Sequence, residues 1–244
     1  MRRLVCATVR LAEVASRVNG SIPARSVARS RSMERPLDKL SVVERALRAH
    51  RPLRVSLDGE PSRAAVAILL DPRPDDLHLL FIHRAEHEKD PWSGHMGFPG
   101  GRKDPDDPDL LNTVLREVHE EIAVDLRRQA RLIGPIDELQ GVARGRHLPL
   151  VISPFVFALE QPVDPRPNHE VQSILWVPLG FLAEPNNESI VEYFINGQPM
   201  RLPAFIYQDR TIWGLTFRMI RSFLEVLGQE EEAKTFSSIG AARR

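Results

Sequence analysis

A helix that carries acid on one face and apolar bulk on another constrains this chain more than any other feature. Leu110, Val114, Val118 and Ile122 recur every four residues, a spacing that aligns them on one helical face and predicts that they point into a core. Leu111 and Leu115 widen that stripe. Within Arg116-Glu117-Val118-His119-Glu120-Glu121, the three glutamates stand at i, i+3 and i+4. Their carboxylates therefore share a second face, which Asp125 would extend. Like charges at i, i+4 cost an isolated helix only about 0.2–0.5 kcal/mol per pair. A solvated acidic face, with Arg116 pairing Glu120, is thus the plain reading for such a helix in isolation.

Its surroundings change that reading. Asp107 suits an N-cap, Pro108 the first helical position, and Asp109 the positive end of the dipole. Just upstream, Gly100-Gly101 permit positive φ and close backbone approach to a ligand. Three carboxylates on a buttressed face suit Mg²⁺ or Mn²⁺, which take oxygen ligands and share them with a substrate phosphate. Arg116 keeps its proton and is suited to hold one carboxylate bidentately.

Around this helix the pattern is that of a mixed α/β domain of α+β type. Leu37, Leu40, Val43 and Leu47 mark an N-terminal helix. Residues 64–71 and 77–83 read as two strands joined by Pro72-Arg73-Pro74-Asp75-Asp76. Further strands are expected at 131–136, 148–159 and 171–177, with 190–195 and 201–207 flanking Asn196-Gly197, a hairpin signal. A last amphipathic helix is expected over 211–227, carrying Ile212, Leu215, Ile220, Phe223 and Leu227, with Gly228 as its C-cap. The expected organisation is a leader over 1–32, one domain over 33–228 and a frayed polar tail over 229–244. Strands with interspersed helices imply helices packed on a curved or split sheet.

Composition removes several classes. The longest apolar run, Ala64 to Leu70, is seven residues, whereas a membrane-spanning helix needs about 20. The lone Cys6 forms no internal disulfide and no cysteine zinc site. His-Glu-x-x-His and Gly-x-x-x-x-Gly-Lys do not occur, which excludes zinc-protease and P-loop chemistry. Charge is balanced at 33 against 33, but residues 1–32 hold seven arginines, no lysine and one acid, Glu13, leaving the remainder six charges negative. That leader has the make-up of an organelle transit peptide, and equally of a disordered tail or a start upstream of Met33. Cytoplasmic location is expected, with mitochondrial location the alternative if residues 1–32 are a genuine transit peptide. The acidic remainder, with 6% aromatics, fits a nucleic-acid surface poorly.

Gly101, fourteen residues, and then Arg116-Glu117-Val118-His119-Glu120-Glu121-Ile122-Ala123-Val124 resemble the signature box of the Nudix hydrolases. The usual box has thirteen intervening residues with a glutamate partway; here Asp107 or Pro108 falls at that place. Ala123 replaces a glycine, so the turn there is expected to avoid strongly positive φ. Leu79-Leu80 through Arg84 and Gly94-His95-Met96-Gly97-Phe98-Pro99-Gly100-Gly101 are similar to the extra motif of the coenzyme A pyrophosphatases. Pro167-Asn168-His169-Glu170-Val171 and Ile212-Trp213-Gly214-Leu215-Thr216 are similar to later segments of that group. The likeness covers about residues 35–228. Three departures, Lys89 for arginine, Ala85 for serine and one extra residue within 90–93, lie where substrate contacts are expected.

The resemblance implies a mixed curved sheet packed between helices and hydrolysis of a nucleoside diphosphate linked to another moiety. It implies Mg²⁺ (or Mn²⁺) on Glu117, Glu120 and Glu121, with Glu120, Glu121 and Arg116 as catalytic candidates. Arg84, Lys89, Gly100, Gly101 and Arg102 are substrate-binding candidates, with Lys103 a further phosphate contact. Coenzyme A or a derivative is the expected substrate, giving an adenosine 3′,5′-bisphosphate and a 4′-phosphopantetheine. ADP-ribose, NADH or an oxidised nucleotide is the alternative, and a non-catalytic nucleotide-binding module is the alternative of another class. Glu120, Glu121 and Glu170 are open choices for general base, although exposure is the plainer account of Glu170. His119 is expected to point off the metal face, and Trp213 and Phe98 read as core or as base-stacking rings. No nucleic acid or membrane partner is expected, and a homodimer is left open.

Overall fold

The computed structural model of the chain describes residues 36–88, 92–143, 145–195 and 198–241. Its centre is built from the two apolar runs. Strands β1 (Ser62–Pro72) and β2 (Leu77–Arg84) pair antiparallel, with Leu70 opposite Leu79. Ala65, Ala67, Leu69, Leu80 and Ile82 pack on one face of the sheet, and Ile68, Leu70, Leu79 and Phe81 on the other. Strands covered on both sides need no polar alternation, which accounts for the unbroken apolar run from Ala64 to Leu70.

Helix α2 (Leu110–Ile122) covers the first face with Val114, Val118 and Ile122, all fully buried. Helices α1 (Pro36–Ala49) and α5 (Gly214–Ala241) cover the second with Leu40, Val43, Ile220 and Phe223. Short helices α3 (Leu126–Gln129) and α4 (Leu179–Ala183) follow α2 and the strand β8 (Val171–Pro178). The result is a mixed α/β sandwich with its sheet between helices, as expected.

Among the described residues, eight strands make the main sheet. β7 (Arg146–Leu159) runs parallel to β1, with Ser62 opposite Leu150 and Leu70 opposite Ala158. It also carries β5 (Ala130–Pro135) and β6 (Leu139–Ala143) antiparallel. β8 and the short β3 (Met96–Gly97) pair with β2, while β4 (Gly100–Arg102) pairs with β1. A second, antiparallel sheet has the order β11 (Arg210–Trp213), β10 (Gln198–Tyr207), β9 (Glu188–Ile195). Ile195 lies opposite Gln198, the register a turn at Asn196-Gly197 requires, although those two residues lie outside the described ones.

Several expectations are corrected. α2 begins at Leu110, and Asp109, not Asp107, caps it by accepting from the Asn112 N–H at 2.7 Å. Asp125 does not extend the acidic row; it caps α3 by accepting from the Arg127 N–H at 3.0 Å. α5 starts at Gly214 because residues 210–213 pair as β11, and it continues past Gly228 to Ala241. The run Gln229-Glu230-Glu231-Glu232-Ala233-Lys234 consists of good helix formers, so Gly228 does not end the helix. Ala123 sits at φ 57° and ψ 27°, inside the left-handed region it was expected to avoid.

Candidate active site

Backbone pairing brings the Gly-Gly loop to the acidic helix. β4 sets Gly100 opposite Val66 and Gly101 opposite Ala65, and the Ala67 N–H donates to the Pro99 carbonyl at 2.8 Å. Gly100 adopts φ +143°, and a Cβ there would run into the Ala65 carbonyl oxygen. At Gly101 a Cβ would collide with the carboxylate of Glu117. Glycine at these two positions is what lets the strand lie against α2.

Glu121 closes the floor. It is 2% exposed, and its Oε2 accepts from the Gly100 N–H at 2.8 Å. Arg84 Nη1 stands 3.6 Å from its Oε1. Burial dominates, pushing the Glu121 carboxyl up to about 7. Burial also raises Glu117, against the pull of Arg116.

Arg116 gathers the rest. Its Nε and Nη2 donate to the two oxygens of Asp107 at 3.1 and 2.9 Å, a bidentate pair that holds Asp107 well below the usual carboxylate range. The acid that fills the glutamate position of the resembled box is therefore Asp107, not Pro108, and it is the bidentate partner that the sequence left unnamed. The Nη1 of Arg116 reaches Glu117 Oε1 and Glu120 Oε2, both at 3.0 Å, and Nη2 also reaches the Arg102 carbonyl at 3.3 Å. This arginine pairs with three acids and is not among the residues lining the cleft.

Beyond α2 the chain folds back. Ala123 donates its N–H to the His119 carbonyl at 2.9 Å, and the Arg166 and Asn168 N–H groups donate to Ile122 and Glu121 carbonyls at 2.8 and 2.9 Å. The Glu170 carbonyl then accepts from the Ala85 N–H at 2.8 Å. These bonds bring the exposed Glu170 to the cleft although it is distant in sequence.

The cleft has a volume of about 460 Å³. Its polar lining comes from Arg84, Gly100, Gly101, Arg102, Glu117, Glu121 and Glu170, and its aromatic and apolar lining includes Trp92, His95, Met96, Phe98, Trp213, Leu215 and Met219. Of the candidate site residues, the fold therefore joins Glu117, Glu121, Arg84, Gly100, Gly101 and Arg102. Glu120 is exposed, paired with Arg116 and not among the residues lining the cleft. Lys103 donates to the Asp107 and Asp104 carbonyls within its own loop, and His119 is exposed. Lys89 lies outside the described residues. Phe98 is buried in the core, stacked on Phe81 at 4.7 Å, and also borders the cleft that Trp213 lines. Sequence reasoning misses Trp92, Leu215 and Met219 as cleft residues, because nothing local signals that the loop before β3 and the first turns of α5 share one cavity.

Among the described residues no three His, Cys, Asp or Glu side chains are gathered closely enough to enclose a metal ion. Arg116 supplies the reason, since one of its nitrogens draws Glu117 and Glu120 while Glu121 turns to Gly100. The donor chemistry still suits a hard divalent cation. Mg²⁺ characteristically takes one or two carboxylates and fills its remaining positions with water and phosphate oxygens. The buried Glu121 and half-buried Glu117, both with raised pKa, gain charge balance from such an ion.

Among the described residues no helix is long and apolar enough to cross a membrane. A sequence profile described as the NUDIX domain matches residues 60–195. The mitochondrial coenzyme A diphosphatase NUDT8 of Homo sapiens is 31% identical over 179 residues, which cover 70% of this chain and 72% of that one. An uncharacterized Nudix hydrolase, NudL, of Yersinia pestis is 31% identical over 160 residues, covering 65% of this chain and 76% of that one. An uncharacterized protein of Schizosaccharomyces pombe is 31% identical over 158 residues. That match covers 57% of this chain and 48% of the yeast protein, so the chain spans about half the length of that relative.

Proposed function

The chain belongs to the Nudix hydrolase family, and from that premise we propose that it is a divalent-metal-dependent pyrophosphohydrolase acting on a nucleoside diphosphate linked to another moiety, with coenzyme A or a derivative as substrate. The observation that carries this reading is Glu121: a carboxyl buried at the floor of a cleft, bonded to the Gly100 N–H and faced by Arg84. The human relative's name supports coenzyme A over ADP-ribose, NADH or an oxidised nucleotide. Retention of all three glutamates supports an enzyme over a non-catalytic binding module.

Nudix hydrolases generally need divalent metals, and Glu117, Glu121 and the exposed Glu120 are the groups that would hold one here. When bound, Mg²⁺ neutralises phosphate charge and acidifies water for in-line attack on phosphorus. The chain's own residues do the rest. Arg84 and Arg102 face the phosphates from the cleft wall, and the Gly100–Gly101 backbone keeps the wall thin enough for close approach. Arg116 orients Glu117 and Glu120 while Asp107 fixes its plane. Water adds to one phosphorus, the bridging P–O bond breaks, and two phosphate-ended products leave. The proton of the attacking water goes to Glu121 or Glu170, the carboxylates that line the cleft without being tied to Arg116.

The domain reading of 33–228 and cytoplasmic location stand as parts of this proposal. Mitochondrial location is the alternative, supported by the Arg-rich residues 1–32 and the human relative's name. The deciding experiment is a panel of coenzyme A, acyl-coenzyme A, ADP-ribose, NADH and nucleoside triphosphates with Mg²⁺ or Mn²⁺ and product identification. Cleavage of coenzyme A into a 3′,5′-bisphosphate and a phosphopantetheine is expected. Cleavage of another member alone would reassign the substrate, and none at all would point to a binding module.

A further inference from the structure

We infer that Trp213, packed beside Tyr193 and His95 at the cleft, is the platform on which the substrate's nucleobase stacks; the idea rests on the nucleotide-hydrolase reading above and adds the residue that contacts the base. Three rings from three separate segments meet here. The Trp213 ring at the end of β11 lies 4.3 Å from that of Tyr193 on β9 and 4.6 Å from that of His95, just before β3. The His95 and Tyr193 rings meet nearly edge-on at 6.3 Å.

Core packing does not account for the group. Phe81 and Phe98, which do belong to the core, are both buried, whereas His95, Tyr193 and Trp213 are each half-buried. Trp213 and His95 line the same cleft as Glu117, Glu121 and Arg84, so one cavity joins an aromatic wall to the phosphate-facing groups. The wall is held in place: Trp213 pairs with Ala204 on β10, and Thr216 Oγ1 donates to the Met96 carbonyl at 2.9 Å, tying the start of α5 to the His95 segment. A fixed, amphipathic ring surface beside a phosphate site is what a planar base requires. Because every base presents a π face, such a platform separates ligands with a base from those without one rather than one base from another.

The test is binding of adenosine 5′-monophosphate against ribose 5-phosphate, with Mg²⁺, to wild type, Trp213→Ala and Trp213→Phe. Wild type should prefer the nucleotide by on the order of tenfold to hundredfold. Trp213→Ala should lose that preference while binding ribose 5-phosphate as before, and Trp213→Phe should keep most of it. Nucleotide-dependent quenching of tryptophan fluorescence in Trp92→Phe protein, which removes the other tryptophan lining the cleft, and its loss when Trp213→Phe is added read the same contact if Trp213→Ala fails to fold. Equal preference in wild type and Trp213→Ala, or quenching that survives in the Trp92→Phe/Trp213→Phe double variant, would overturn the platform. Because binding needs no turnover, a protein that discriminates bases yet cleaves nothing would refute the hydrolase reading and leave the platform standing.

Discussion

The Gly100 N–H donates to Glu121 Oε2 at 2.8 Å, linking residues 21 positions apart. The bond joins the Gly-Gly strand to the buried end of the acidic helix and fixes the floor of the cleft. It also means that the deepest carboxylate is oriented before any cation or substrate arrives.

Replacing that carboxylate tests the chemistry with little change of shape. Glu121→Gln keeps an oxygen acceptor for Gly100 but removes the charge. Hydrolysis at saturating Mg²⁺ should fall at least about a hundredfold, as loss of a key electrostatic group does, while the thermal midpoint holds or rises. Near-wild-type turnover would take Glu121 out of the mechanism.

The two glycines should fail differently. Gly101→Ala sets a methyl against the movable Glu117 carboxylate, so activity should drop more than stability. Gly100→Ala meets backbone at Ala65 and adds a strained φ, so it should destabilise by about 3 kcal/mol. Denaturant unfolding of both variants beside their kinetics separates the cases; equal stability losses would refute the assignment.

Ala123 is exposed and holds φ 57°, a region that penalises a Cβ. Ala123→Gly relieves that strain and should stabilise the protein by about 1 kcal/mol. A chain of this size should then melt roughly 2–4 °C higher. A lower midpoint would mean that the turn carries no strain.

Protons and metal should compete at Glu121. Its carboxyl is pushed up to about 7, so the metal-free protein gains stability from this group below its unfolded value of 4.5 and loses it as pH rises through 7. Mg²⁺ requires the ionised form, so its apparent affinity should rise from pH 5 to about 7 and level off above. Calorimetric titration in buffers of different ionisation enthalpy should detect proton release below pH 7. A flat affinity with no proton release would assign the ion to other ligands.

The strong local signals and the structure agree where a single element could satisfy its own pattern. The four-residue repeat of Val114, Val118 and Ile122 needs only one helix and one sheet face, and residues 64–71 and 77–83 need only burial on both sides. Pairing partners were harder to read. β3 and β4 are two and three residues long, too short for any periodicity, and exist because β2 and β1 offer them open backbone. Asp107 matched an N-cap equally well, and only the position of Arg116 nine residues on explains its use.

Side-chain periodicity and the order of charges along the chain were enough to specify an amphipathic helix bearing Glu117, Glu120 and Glu121, the layered α/β arrangement and the family resemblance. Those properties depend on neighbours three or four residues apart. Which carboxylates enter the cleft, which one stays exposed on Arg116, and that Trp213 is left half-buried at the cavity while Phe98 is buried in the core came only from the folded chain. They depend on contacts between residues tens of positions apart, where burial, backbone hydrogen bonds and steric room act together and leave no mark in local sequence.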